Sequence, residues 1–168
     1  MMTVREDRAD IGATSERIAA HALDRGITLA VAESLTAGNL AAALGAAPDS
    51  GTWFAGGVVA YTEEVKRRVL GMPDVPVVSC TAAAAMARGV RELLRADVAV
   101  AVTGVGGPGA QDGEPAGSVW FAVTDGDETR EWHREFDGDP VRVLEQTLWC
   151  ALTGVEELLA DAADRIGS

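Results

Sequence analysis

One segment constrains this chain more than any other. It is Ile27-Thr28-Leu29-Ala30-Val31-Ala32-Glu33-Ser34-Leu35-Thr36-Ala37-Gly38, an apolar run that ends in a hydroxyl residue before an alanine-rich stretch. A near-continuous apolar run is the pattern of a strand covered on both faces. It predicts a strand over Ile27–Ala32 and a helix that continues through Asn39–Gly45. In open α/β sheets the carboxyl end of such a strand is where ligands bind. The first N–H groups of the next helix would point at any anion held there. Ser34 is therefore either a helix cap or a nucleophile, and this segment alone does not choose.

The rest of the chain alternates in the same manner. A charged, polar start is expected to be flexible over 1–13, and a single domain is expected over 14–165. Thr14–Gly26 reads as a helix, with Thr14 or Ser15 as cap, Ile18, Ala22 and Leu23 as its apolar stripe and Gly26 at its close. Trp53–Tyr61 reads as a second buried strand whose glycines Gly56 and Gly57 suggest close approach of a backbone or a ligand. Thr62 then caps a short helix with acidic residues first, basic residues last and Gly71 at its end. A longer helix runs from about Cys80 to Arg95, and Asp97–Val102 is a third buried strand. Ser118–Thr124 and Thr129–Phe136 flank Asp125-Gly126-Asp127, a hairpin signal. Asp139-Pro140 opens a final helix with Val141, Leu144, Leu148, Leu152, Val155 and Leu159 on one side. This order predicts a three-layer α/β/α sandwich with a mixed, mostly parallel sheet and a C-terminal hairpin plus helix.

Composition limits the function classes. With 14 basic against 26 acidic residues the net charge is −12, which disfavours nucleic acid and anionic membranes as partners. The start of the chain lacks the apolar core of a signal peptide, and no apolar run approaches the ~20 residues of a membrane span. A cytoplasmic protein is the expectation. Cys80 and Cys150 have no motif spacing, and His21 and His133 stand apart, so neither a disulfide framework nor a metal site is expected. His133 should face solvent, and Trp120, Trp132 and Trp149 should be core or interface aromatics.

Two further strand ends carry candidate chemistry. With Thr62 as N-cap, Tyr61 and Lys66 occupy the N′ and N4 positions, which meet across a first helical turn. That pairing is either packing of the phenol on the lysine stem, with a solvated amine, or a catalytic phenol–amine pair. After the third strand comes Thr103-Gly104-Val105-Gly106-Gly107-Pro108-Gly109. Its glycines match G-x-G-x-x-G, but loop residues follow instead of a helix, so a dinucleotide site is rejected. What remains is a tight turn or a backbone concavity for a developing oxyanion. A hydroxyl, an amine and a nest of N–H groups on one rim form a minimal kit for acyl transfer without histidine. Lys66 must lose its proton to act as base: burial, Arg67 and Arg68 favour that, while Glu63 and Glu64 oppose it.

Taken together, Ala32-Glu33-Ser34-Leu35-Thr36-Ala37-Gly38, Gly56-Gly57-Val58-Val59-Ala60-Tyr61 with Lys66, and Thr103 through Gly109 resemble the CinA C-terminal domain family, also called nicotinamide-nucleotide amidohydrolases. The resemblance runs from about Ser15 to Leu159. It implies deamidation of nicotinamide mononucleotide to nicotinate mononucleotide and ammonia, a step of the pyridine nucleotide cycle in NAD metabolism. It implies Ser34 as nucleophile, Lys66 as general base assisted by Tyr61, and Thr103 in the catalytic set. Glu33, Thr36, Gly38, Gly57, Gly104, Gly106, Gly107 and Gly109 are then the expected substrate-binding residues. No cofactor is implied, and a homo-oligomer is. The chain departs from the family pattern at Leu35, usually cysteine, and at Ala37, usually glycine. Pro140 and Leu144 stand where arginines are expected. Those two positions leave a second reading open: a catalytically silent nucleotide-binding or regulatory protein on the same fold.

Overall fold

The computed structural model describes the backbone of residues 4–166 and the side chains of residues 10–163. Its elements are α1 (Val4–Arg25), β1 (Leu29–Glu33), α2 (Asn39–Gly45), α3 (Ser50–Trp53), β2 (Phe54–Val59), α4 (Glu63–Leu70), α5 (Cys80–Leu94), β3 (Val98–Gly104), β4 (Ser118–Thr124), β5 (Thr129–Glu135) and α6 (Pro140–Ile166). The strands form one sheet in the order β2-β1-β3-β4-β5. β1 runs parallel to both neighbours, while β3–β4 and β4–β5 are antiparallel. The sheet is mixed, its pairings split evenly between the two senses.

Alternation along the central strands builds two unlike layers. Leu29 and Val31 of β1, Val98, Val100 and Val102 of β3 and Val119, Phe121 and Val123 of β4 join one cluster, completed by α1, α2, α3 and α6. The intervening Ala30, Ala32, Ala99, Ala101 and Ala122 join the other, against α4 and α5. Each fully buried leucine or phenylalanine in the first cluster contributes about 1.5–3 kcal/mol. Alanines on the second face instead let helix and sheet approach closely. α5 presses closer still on α4, where a Cβ added to Gly89 would lie 2.0 Å from the Leu70 carbonyl oxygen.

Three expectations change. α1 begins at Val4, so Thr14 and Ser15 lie inside the helix, both buried, and do not cap it. The Ser15 hydroxyl donates back to the Ile11 carbonyl at 2.9 Å, the usual outlet for a serine in a helix interior. β2 is an edge strand that alternates between partly buried and exposed, because no strand lies beyond it. His133 does not simply face solvent: its Nε2 lies 2.8 Å from the Ser118 hydroxyl, and its ring packs 4.9 Å from Trp120. Among the described residues, no helix is long and apolar enough to cross a membrane.

Candidate active site

A cavity of about 630 Å³ opens at the carboxyl ends of β1 and β3, the rim where an open α/β sheet places its ligands. Ser34, Tyr61, Lys66, Thr103 and the loop residues Gly104, Gly106, Gly107 and Gly109 all line it. Parallel pairing of β1 with β2 and β3 causes this convergence, because it brings three strand ends to one edge.

Ser34 follows the last residue of β1 and is 7% exposed. It is not the cap of α2. A turn intervenes, closed by the Ala37 N–H on the Ser34 carbonyl at 3.1 Å, and the helix starts only at Asn39. Glu33 takes over the capping: its two carboxylate oxygens accept from the Leu40 and Ala41 N–H groups at 2.8 and 3.0 Å. The first-turn donors of α2 are thereby satisfied within the protein, so this helix end is no anion site. Ala37 holds φ +46°, a left-handed conformation that costs a residue with a Cβ about 1–2 kcal/mol.

Lys66 is fixed by α4. The Thr62 hydroxyl caps that helix by accepting from Val65 N–H, and Gly71 closes it. The lysine side chain points inward, 3% exposed, and its Nζ donates to the Tyr61 carbonyl oxygen at 3.3 Å. Burial pushes its pKa below the usual lysine range, with Glu63 opposing. The expected help from neighbouring arginines is missing. Arg67 is ion-paired with Glu63 and Asp74, and Arg68 with Glu64. The Tyr61–Lys66 contact thus runs through the tyrosine backbone; its side chain lies at the mouth, with the residue 67% exposed.

Thr103 has a different task. Its hydroxyl donates to the Val77 carbonyl at 2.6 Å and so ties the segment before α5 to the cavity wall. Gly104 is required by close packing: a Cβ there would sit 2.6 Å from the Ser118 carbonyl oxygen. Gly106 faces Leu35, so the glycine loop lies over the segment that carries Ser34. Four other expected binding residues do not line the cavity. Glu33 caps α2, Thr36 is fully buried, Gly38 stands just before α2 and Gly57 packs on Val31, whose Cγ2 an added Cβ would meet at 2.4 Å.

The profile of the CinA C-terminal domain family matches residues 12–159. The chain belongs to that family. Within the CinA group it is 41% identical to the nicotinamide-nucleotide amidohydrolase PncC of Pseudomonas putida over 133 residues, which cover 76% of this chain and 83% of that protein. A CinA-like protein of Citrifermentans bemidjiense is 37% identical over 160 residues, 92% of this chain but 38% of its own length. The chain spans only 26% of a relative from Desulforamulus reducens. A crystal structure of a CinA superfamily protein from Klebsiella pneumoniae superimposes with a TM-score of 0.86 at 36% identity, covering 90% of this chain and 98% of that one.

Sequence reasoning missed the opposite wall. Val77, Val78, Pro140, Val141 and Leu144 complete the cavity with apolar surface, and the two positions where arginines were expected, Pro140 and Leu144, are among them. It also missed a plain compositional signal. Lys66 is the only lysine of the chain, so every other basic residue is an arginine.

Proposed function

We propose that this chain is a serine–lysine amidohydrolase that deamidates nicotinamide mononucleotide, with Ser34 as nucleophile and Lys66 as general base. The observation that carries this reading is the shared cavity: the Ser34 hydroxyl and a buried lysine, pushed toward its neutral form, open onto the same space. The name of the Pseudomonas putida relative supports the substrate.

The chemistry follows from those groups. The neutral Lys66 amine takes the Ser34 proton as the oxygen attacks the carboxamide carbon, and the carbonyl oxygen gains the negative charge. Backbone N–H groups of the 104–109 loop stabilise that oxyanion. Lys66 then returns its proton to the departing nitrogen, which leaves as ammonia. Water enters, again deprotonated by Lys66, and hydrolyses the acyl-serine to the carboxylate as Lys66 returns that proton to the departing Ser34 oxygen. Tyr61 holds the amine through its carbonyl, and Thr103 keeps the Val77 wall in place.

The test is ammonia release from nicotinamide mononucleotide by the whole chain. Release well above that of a Ser34→Ala control is expected. Tight binding without release would instead identify a silent nucleotide-binding protein.

A further inference from the structure

The cavity that houses the proposed chemistry has two unlike walls. The reactive side presents Ser34, Lys66 and the glycine loop. The far side presents Val77, Val78, Pro140, Val141 and Leu144. Among the described residues that line it, Lys66 is the single cation. A phosphate dianion taken from water needs charge-assisted donors, best of all a guanidinium fork. None lines this space.

Nor can Lys66 take that part without undoing its own. An anion beside an amine favours the charged ammonium, whereas a positive group beside it favours the neutral base. The surroundings point the same way. A smaller hollow adjoins the cavity at Val77 and is lined by Glu63, Asp74 and Asp112 with one arginine, Arg67. That guanidinium is already bound by Glu63 and by Asp74, the latter at 2.8 Å. That neighbouring hollow is therefore acidic, on a chain whose net charge is −12. Such a field attracts cations and repels phosphate.

We infer that the cavity accepts, at least as well as the nucleotide, a cationic, non-phosphorylated N-substituted pyridine carboxamide, the corresponding nucleoside. This rests on the amidohydrolase reading and refines it. The pyridinium of the nucleoside is positively charged, whereas the phosphate of the nucleotide adds about −1.5 to −2 and reverses the net sign. The carboxamide lies at Ser34 and Lys66, the flat ring lies against the valine and leucine wall, and the acidic neighbouring hollow favours the pyridinium charge.

The experiment compares the mononucleotide with its dephosphorylated nucleoside on the whole chain, by ammonia release and, separately, by calorimetric binding. The nucleoside is expected to match or exceed the nucleotide in kcat/KM and in affinity, and added salt should weaken nucleoside binding. Val141→Arg should shift both ratios toward the nucleotide by about tenfold, the worth of one charged hydrogen bond. Val141 is 57% exposed, so the change leaves the core intact. A wild-type preference for the nucleotide of tenfold or more overturns the inference while leaving the amidohydrolase reading in place. Binding of neither compound also overturns it. Nucleoside-selective binding without ammonia release supports the recognition and removes the hydrolysis.

Discussion

Two serines at the edges of this sheet separate a proposed nucleophile from a structural hydroxyl. Ser118 has the more suggestive company: its hydroxyl lies 3.1 Å from a Glu114 carboxylate oxygen and 2.8 Å from His133 Nε2. Among the described residues Ser34 has neither histidine nor acid at its hydroxyl, and what it shares with Lys66 is the cavity. Yet Ser118 is fully buried, and its single proton goes to Glu114. His133 Nε2 must then be the donor in the second contact, the reverse of what a general base does. The Ser118 cluster is a clamp that fastens the loop after β3 to the hairpin. Access and a base that can lose its proton, not residue types, are what the proposed mechanism asks of a reactive hydroxyl.

Substitution sharpens that contrast. Ser34→Ala should lower ammonia release by at least about a thousandfold, as expected for loss of an attacking oxygen. Ser118→Ala, measured in the same assay, should stay within a few-fold of the parent. An equal loss in both would erase the distinction.

Lys66→Met should lower the rate by about a hundredfold or more, the range of general-base catalysis. It should also raise the melting temperature. A buried amine with a depressed pKa binds fewer protons than the unfolded chain between the folded and unfolded pKa values. Stability therefore rises with pH across that window, and the cost of burying the charged amine is lost as the pH climbs through it. Removing the amine lifts the cost, worth about 2–4 °C per kcal/mol in a domain of this size. A lower melting temperature would contradict the account of Lys66 as a group held for chemistry at the expense of stability.

Ser118→Ala should behave oppositely, retaining activity but losing about 1–3 kcal/mol in denaturant melts, because Glu114 and His133 lose their shared partner. The smallest effect belongs to the turn after Ser34. Ala37→Gly should add about 0.5–1 kcal/mol by relieving the left-handed backbone at that position, offset partly by chain entropy. Unchanged stability there would mean that the turn accommodates alanine freely.

Much of this was legible before folding. The apolar runs announced β1 and β3, the Thr62 cap placed Lys66 one turn into α4, and parallel strand ends predicted one rim. What local pattern could not supply was long-range. The edge position of β2 depends on which strands pair, a matter of the whole sheet. Nothing local marked Glu33, expected to bind substrate, as the cap that displaces Ser34 from that role. The Ser118–His133 contact was within reach: the hairpin register pairs Trp120 with His133 and Ser118 with Glu135, which sets the histidine on the same face as Ser118. The apolar wall was only half legible: Pro140 and Leu144 stood out as places where arginines were expected, but Val141 read as one residue of an amphipathic helix and nothing local set Val77 and Val78 beside them.

The central claim is that the buried Lys66 amine in the Ser34 cavity gives up its proton more readily than an ordinary lysine, and the composition makes it directly measurable. Because Lys66 is the only lysine, protein labelled with carbon-13 at the lysine ε position carries one side-chain signal to follow by NMR as pH is raised. The account predicts a titration midpoint clearly below the usual lysine range. A midpoint at the ordinary lysine value would show a solvated ammonium at Lys66 and contradict the mechanism.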